Sequence, residues 1–134
     1  MKLSSKGRYA VMALADIARF EPKNPIPLRD ISLRQGISLV YLEQLFLKLK
    51  KNKIVLSVRG KNGGYVLNKS AKDIKISEVF LAVEEKVKTI GCEKHSRKGC
   101  NGKSSKCITH NLWDELENYI NDFFERKTLK DLIN

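Results

Sequence analysis

Three cysteines and one histidine carry the most reactive side chains of this sequence, in the order Cys92-x7-Cys100-x6-Cys107-x2-His110. Thiolate and imidazole are the ligands of zinc and of iron–sulfur clusters. Gaps of seven and six residues are not those of a zinc finger, which pairs its cysteines across a short gap. An iron–sulfur cluster and a zinc ion are equally compatible with the spacing; a redox-active thiol pair and three unrelated surface cysteines are the other readings. A second histidine, His95, makes Cys92-x2-His95, also a ligand-like spacing, and chemistry alone does not choose between the two histidines. An odd number of cysteines does not suggest a disulfide framework.

The elements around these residues are readable from pattern. Residues 88–106 are rich in Lys, Gly, Ser and Cys and lack helical periodicity, so they read as a loop that has no obvious fold without a ligand. From Thr109 to about Glu125 a helix is expected. It carries Leu112, Trp113, Leu116, Ile120, Phe123 and Phe124 on one side. That stripe is large and aromatic for a helix near the end of a small domain. It can pack onto its own core or form a dimer interface, and the second is favoured because helix-turn-helix readers usually bind two half-sites as dimers.

The helix-turn-helix itself lies upstream. Ser4-Ser5 can cap a first helix that runs to about Phe20, with Ala10, Ala13, Leu14, Ile17 and Ala18 as its apolar stripe, and Pro22 stops it. Pro27 suits the first turn of a second helix, LRDISLRQ, with Leu28, Ile31 and Leu33 facing inward and Gly36 as the left-handed residue that ends it. Ser38 caps a third helix inside a staple of Ile37 and Leu42. Leu42, Leu45, Phe46 and Leu49 form its buried face, and Asn52 is its C-cap. IVLSV and YVL around RGKNGG then read as a β-hairpin with a glycine-rich tip. Ser77 is expected to cap a further helix, SEVFLAVEE, stapled by Ile76 and Leu81, and TLKDLIN is a short terminal helix or a frayed tail.

The expected fold is therefore mostly α with a small β-hairpin wing: a winged helix-turn-helix followed by a long C-terminal dimerisation helix. Residues 1–70 form the DNA-binding domain, with the helix-turn-helix at about 28–51 and the wing at about 54–67. Residues 71–134 hold the ligand-binding loop, 88–110, and the dimerisation helix, 109–125.

Charge supports this division. The net charge is +11; residues 1–70 hold 14 Lys and Arg against 4 Asp and Glu, net +10, whereas residues 71–134 are nearly balanced. The excess sits where phosphate neutralisation would need it. The third helix would present Ser38, Leu39, Val40, Tyr41, Glu43, Gln44, Leu47 and Lys48 to the major groove. Gln44 can pair bidentately with adenine, Glu43 can accept from the cytosine amino group, and Val40 can touch a thymine methyl. Tyr41 can reach a phosphate or a thymine methyl, or merely pack. Arg59 and Lys61 at the wing tip suit an A·T-rich minor groove, and Lys2, Lys6 and Arg8 add phosphate contacts. No paired carboxylates, nucleophile–base pair or phosphate-cradling loop supports an enzyme. No apolar run approaches the roughly 20 residues of a membrane span, and the N-terminus does not read as a signal peptide, so a cytoplasmic protein without a membrane partner is expected. Two rivals follow from the same residues: a zinc- or thiol-based redox-sensing transcription factor on this fold, and a small redox or electron-transfer protein whose basic face binds an acidic partner.

SSKGRYAV at 4–11, PLRDIS and RQGIS within 27–38, YLEQLF at 41–46, SVRG at 57–60, GGY at 63–65 and CITHNLW at 107–113 together resemble the IscR-type family of bacterial winged-helix transcription factors, the iron–sulfur cluster regulators, over nearly the whole chain. The resemblance implies a homodimer that binds double-stranded promoter DNA and carries one [2Fe–2S] cluster per subunit, supplied by the cluster-assembly machinery. It implies repression or activation of cluster-assembly genes, the regulator's own operon among them. Carried over, the cluster ligands would be Cys92, Cys100, Cys107 and His110, so His110 outranks His95, and Tyr41, Glu43, Gln44 and Arg59 match the family's reading positions. The gaps around Cys100 are longer than is usual in the family, and Val40 stands where a small polar residue is common.

Overall fold

Alanine at positions 10, 13 and 18 lets other helices approach the first one closely, and Leu14 and Ile17 fill the space between them. The computed structural model, which describes residues 4–20, 24–86 and 108–133, builds the core on this stripe. Helix α1 spans Ser5–Phe20, α2 Leu28–Gln35 and α3 Leu39–Lys51; strands β1, Val55–Val58, and β2, Gly64–Leu67, follow; then come α4, Ile76–Ala82, and α5, His110–Arg126. Short 3-10 turns cover Ala71–Asp73 and Leu129–Leu132. Lys2, Pro22, His95, Cys92, Cys100 and Cys107 lie outside the described residues, as does most of the expected loop.

The helix-turn-helix follows the sequence expectation closely. Gly36 ends α2 in the left-handed conformation, φ 67° and ψ 36°, and Ser38 caps α3 by accepting a hydrogen bond from the Tyr41 amide at 3.4 Å. Leu42, Leu45, Phe46 and Leu49 are all buried, as is Ile37 on the other side of the cap. Leu33 does not face inward; it is exposed, because one turn of an eight-residue helix buries only Ile31 fully.

The wing is an antiparallel hairpin pairing Val55 with Leu67 and Val58 with Gly64. It has a third participant. The Ile26 amide donates to the Tyr65 carbonyl at 3.0 Å and the Tyr65 amide to the Ile26 carbonyl at 2.9 Å, so the segment before α2 straps the outer edge of β2. A Cβ on Gly64 would lie 2.4 Å from the Ile26 carbonyl carbon, which restricts this position to glycine on steric grounds. Phe46 of α3 meets Tyr65 edge-on at 4.9 Å between ring centroids, so helix and wing share one aromatic contact.

Downstream, α4 begins at Ile76 with Lys75 at its N-cap, two residues before the expected cap Ser77, and ends at Ala82 rather than running through Glu85. The staple with Leu81 does not form: Ile76 is buried and Leu81 is exposed on the far side of the helix. Helix α5 packs on α4 through Phe80 and Phe124, 4.8 Å apart, and Glu125 accepts hydrogen bonds from Lys75 Nζ at 2.8 Å and Ser77 Oγ at 2.7 Å. Leu129 is fully buried, and its amide donates to the Ile74 carbonyl at 3.1 Å, so the last residues close the core rather than fray.

A buried carboxylate joins α1 to α2. Asp16 accepts from Arg34 Nη2 at 2.6 Å, Arg34 Nε at 3.0 Å and Gln35 Nε2 at 2.9 Å. Arg34 also lies over the Phe20 ring at 4.5 Å. Burial alone would raise the Asp16 pKa; the hydrogen bonds from Arg34 and Gln35, helped by the charges of Arg34 and Arg19, outweigh it and hold the group below its ordinary value. A carboxylate with a depressed folded-state pKa contributes stability that is present above its unfolded value, near pH 4, and is lost as pH falls through the folded value. Asp16→Asn is expected to cost about 2–3 kcal/mol at pH 7, less than a fully buried pair because Arg34 keeps about a third of its side chain exposed. Urea denaturation of both proteins at pH 7 and in acid checks this: the gap between them should narrow as pH falls below about 4.

Candidate nucleic-acid interface and ligand centre

Because Leu42, Leu45, Phe46 and Leu49 turn inward, the opposite side of α3 must face solvent. That side carries Val40, Glu43, Gln44, Leu47 and Lys51, all exposed. The strapped wing stands beside it. A cleft of 380 Å³ is lined by Pro27, Leu28, Arg29 and Asp30 at the start of α2, Leu39 and Glu43 at the start of α3, and Lys61 and Gly63 of the wing. Glu43 and Lys61 thus share one concavity, and Arg59 is exposed at the same hairpin tip. Arg29 joins them there. Its place as a basic residue in the first turn of the second helix was the signal available for it in the sequence.

Other candidates are held differently. Ser38 uses its hydroxyl on the helix cap. Tyr41 is half-buried: its hydroxyl is 2.8 Å from Ser5 Oγ and its ring meets Tyr9 edge-on at 5.8 Å, so it ties α3 to α1. Lys48 lies 3.3 Å from the Glu84 carboxylate, and Lys6 donates to the Glu84 carbonyl at 3.3 Å. Arg8 is exposed over the Tyr9 ring.

The segment after α4 therefore bears directly on the helix-turn-helix. Glu84 adopts a positive φ of 60°, which turns the chain so that Glu85 points back at the start of α1. Glu85 Oε1 accepts from Ser4 Oγ at 2.7 Å and from the Gly7 amide at 3.3 Å. Here the helix cap expected from Ser4 and Ser5 is supplied by a carboxylate from 78 residues away, placed where the helix dipole favours a negative charge. Position 7 has no room for a side chain, since a Cβ would meet Glu85 Cγ at 2.8 Å and Phe80 Cε1 at 3.0 Å.

On the ligand side, His110 opens α5 and is buried, while Thr109 accepts a hydrogen bond from Trp113 Nε1 at 3.0 Å. The three cysteines lie outside the described residues, and among the described residues no group of three or more His, Cys, Asp or Glu side chains is placed to hold a metal ion. The α5 stripe divides in two. Trp113, Ile120 and Phe124 are half-buried, with Ile120 and Phe124 against the core, whereas Leu112, Leu116 and Phe123 are exposed, and Tyr119 completes that outer ridge at positions i, i+4, i+7 and i+11. Tyr119 was not among the residues expected there, although the same periodicity marks it.

Comparison with known proteins agrees with this architecture. The profile of the Rrf2 family, described as an iron-dependent transcriptional regulator, matches residues 3–134. The HTH-type transcriptional regulator IscR of Pectobacterium carotovorum subsp. carotovorum (strain PC1) is 52% identical over 134 residues, covering 100% of this chain and 80% of that protein. The structure of T. potens IscR superposes with a TM-score of 0.78 at 32% identity, covering 99% of this chain and 86% of that one. CymR (YrzC), the global cysteine regulator of B. subtilis, gives a TM-score of 0.83 at 26% identity, covering 99% and 96%. No helix among the described residues is long and apolar enough to cross a membrane.

Tyr41 offers a clean separation of packing from recognition. Tyr41→Phe removes only the hydroxyl that meets Ser5. The expected result is a loss of about 1 kcal/mol in denaturant-measured stability with unchanged DNA sequence preference; a changed preference at full stability would place the hydroxyl on DNA instead.

Proposed function

Because the chain belongs to the Rrf2 family of iron-dependent transcriptional regulators, we propose that it binds promoter DNA as a homodimer and reports iron–sulfur cluster status through one [2Fe–2S] cluster per subunit. Its genes of action are those of cluster assembly, its own operon included, and the assembly machinery is the cluster donor in the cytoplasm. The observation that carries the DNA-reading half is the shared cleft between α3 and the wing. It sets Glu43 and Lys61 together, with exposed Gln44 on the adjoining helix face and Arg59 at the hairpin tip. Gln44 reads adenine and Glu43 rejects sites that lack a facing donor. Arg59 and Lys61 supply charge to the minor groove and backbone, and Arg8 adds a phosphate contact. Lys6 and Lys48 are shared between phosphate and Glu84.

The outer ridge of α5 supports the dimer. Leu112, Leu116, Tyr119 and Phe123 expose a continuous apolar strip, and such strips mark interfaces. A two-fold pair would present two α3 helices to two half-sites.

Cys92, Cys100, Cys107 and His110 would hold the cluster. Three thiolates and one imidazole are a donor set suited to iron, and burial of His110 at the head of α5 gives one of the four a fixed position. When bound, the cluster supplies a ligand-dependent bias between two arrangements of the loop. The chain's own residues carry that bias onward: Glu84 and Glu85, at the loop's entrance, contact Lys6, Lys48, Ser4 and Gly7. The bias can be no larger than the difference in the cluster's affinity for the two arrangements.

Protein purified without oxygen is expected to be brown, with about two iron and two sulfide per chain. Cys92→Ala should abolish the visible absorption and leave the far-ultraviolet circular dichroism intact. A colourless protein that contains zinc would move the signal to zinc or thiol chemistry on the same DNA-binding fold. In gel shifts, Arg59→Ala should weaken binding to all duplexes and flatten its salt dependence, whereas Gln44→Ala should narrow the gap between specific and random duplex by about tenfold.

A further inference from the structure

The outward side of α3 is not uniformly polar. Val40, Gln44, Leu47 and Lys51 stand at i, i+4, i+7 and i+11, the single ridge farthest from the buried face of Leu42, Leu45 and Leu49. Val40 is 63% exposed and Leu47 67%, so two branched apolar side chains flank the one amide on this ridge. A lone exposed apolar residue is ordinary. Two on one ridge, within the most basic part of the chain and beside the charged wing tip, leave apolar surface in water that only a partner can cover.

We propose that Leu47, together with Val40, is a sequence-determining residue that packs on thymine C5-methyl groups to either side of the adenine read by Gln44. This rests on the reading of α3 as the recognition helix. Thymine is the one base that offers a methyl group in the major groove, and neither side chain can donate or accept a hydrogen bond there. Seven residues of helix span about 10 Å and base pairs are stacked about 3.4 Å apart; because the helix lies along the groove, at an angle to the duplex axis, the two methyls lie about two to three base pairs apart with the adenine between them. Each half-site of this protein therefore favours two T·A pairs at that spacing, a preference set by shape and apolar contact rather than by hydrogen bonding.

The test uses the full-length protein, loaded as purified without oxygen, and the duplex it enriches most strongly from a random-sequence pool. Each thymine of that duplex is replaced singly by deoxyuridine, which deletes the methyl and keeps the base pair. The expected result is a loss of about three- to fivefold in affinity at two positions per half-site about two to three base pairs apart, and at no others. Leu47→Ala should become indifferent to uracil at one of them and Val40→Ala at the other, each with its remaining sequence preference intact. An enriched site whose affinity tolerates uracil everywhere overturns the methyl reading while leaving DNA recognition by α3 in place. A pool that yields no enriched site overturns both. Binding that falls with uracil but equally in Leu47→Ala and wild type assigns the methyl to another residue and removes Leu47 from the reading face.

Discussion

The carboxylate of Asp16 is a charge carried into a small helical core, and the placement of α2 depends on how it is neutralised. Arg34 and Gln35 both reach it from the last turn of α2, so the end of that helix is clamped to the C-terminal half of α1. From there the turn at Gly36 and the cap at Ser38 leave α3 little choice of direction. A buried ion pair is poor value as a source of stability, because desolvation offsets most of its attraction. It is good at direction, since its fork of donors fits one orientation, and orientation is what a reading helix requires.

Two further contacts extend this frame. Glu85 caps α1 from the far end of α4, and Glu84 lies against Lys6 of α1 and Lys48 of α3. These residues stand immediately before the stretch that carries the candidate cluster ligands, so the chain's entrance to that stretch is also a support of the DNA-reading helices. A charge pair as exposed as Lys48 and Glu84 contributes little stability on its own. Its significance is that the same ammonium group cannot fully serve a carboxylate and a phosphate at once.

Much of the helix-turn-helix was readable because its rules are local. Apolar spacing marks α1 and α3, Gly36 and Ser38 punctuate them, and the β-branched runs mark the wing. What escaped the sequence was mostly contact between distant residues. Asp16 finds partners 18 and 19 residues on, the cap of α1 comes from Glu85, and Ile26 pairs with Tyr65; no periodicity encodes these. At α4 the local rule misled, since Ser77 is a good capping residue that instead bonds Glu125 from inside the helix. On α5 the stripe was visible but not its division, which depends on how the helix is rolled against Phe80.

The strap formed by Ile26 makes the wing a passenger of the α1–α2 connection. A two-stranded hairpin alone is a pliable antenna, whereas this one is bonded on its outer edge, wedged by Gly64 and backed by Phe46. The separation between the wing tip and the outward ridge of α3 is thereby built in before any duplex arrives, like the jaws of a preset gauge. A separation fixed in this way would cost little conformational entropy on docking and would make groove dimensions, as well as base edges, a basis for choosing among duplexes.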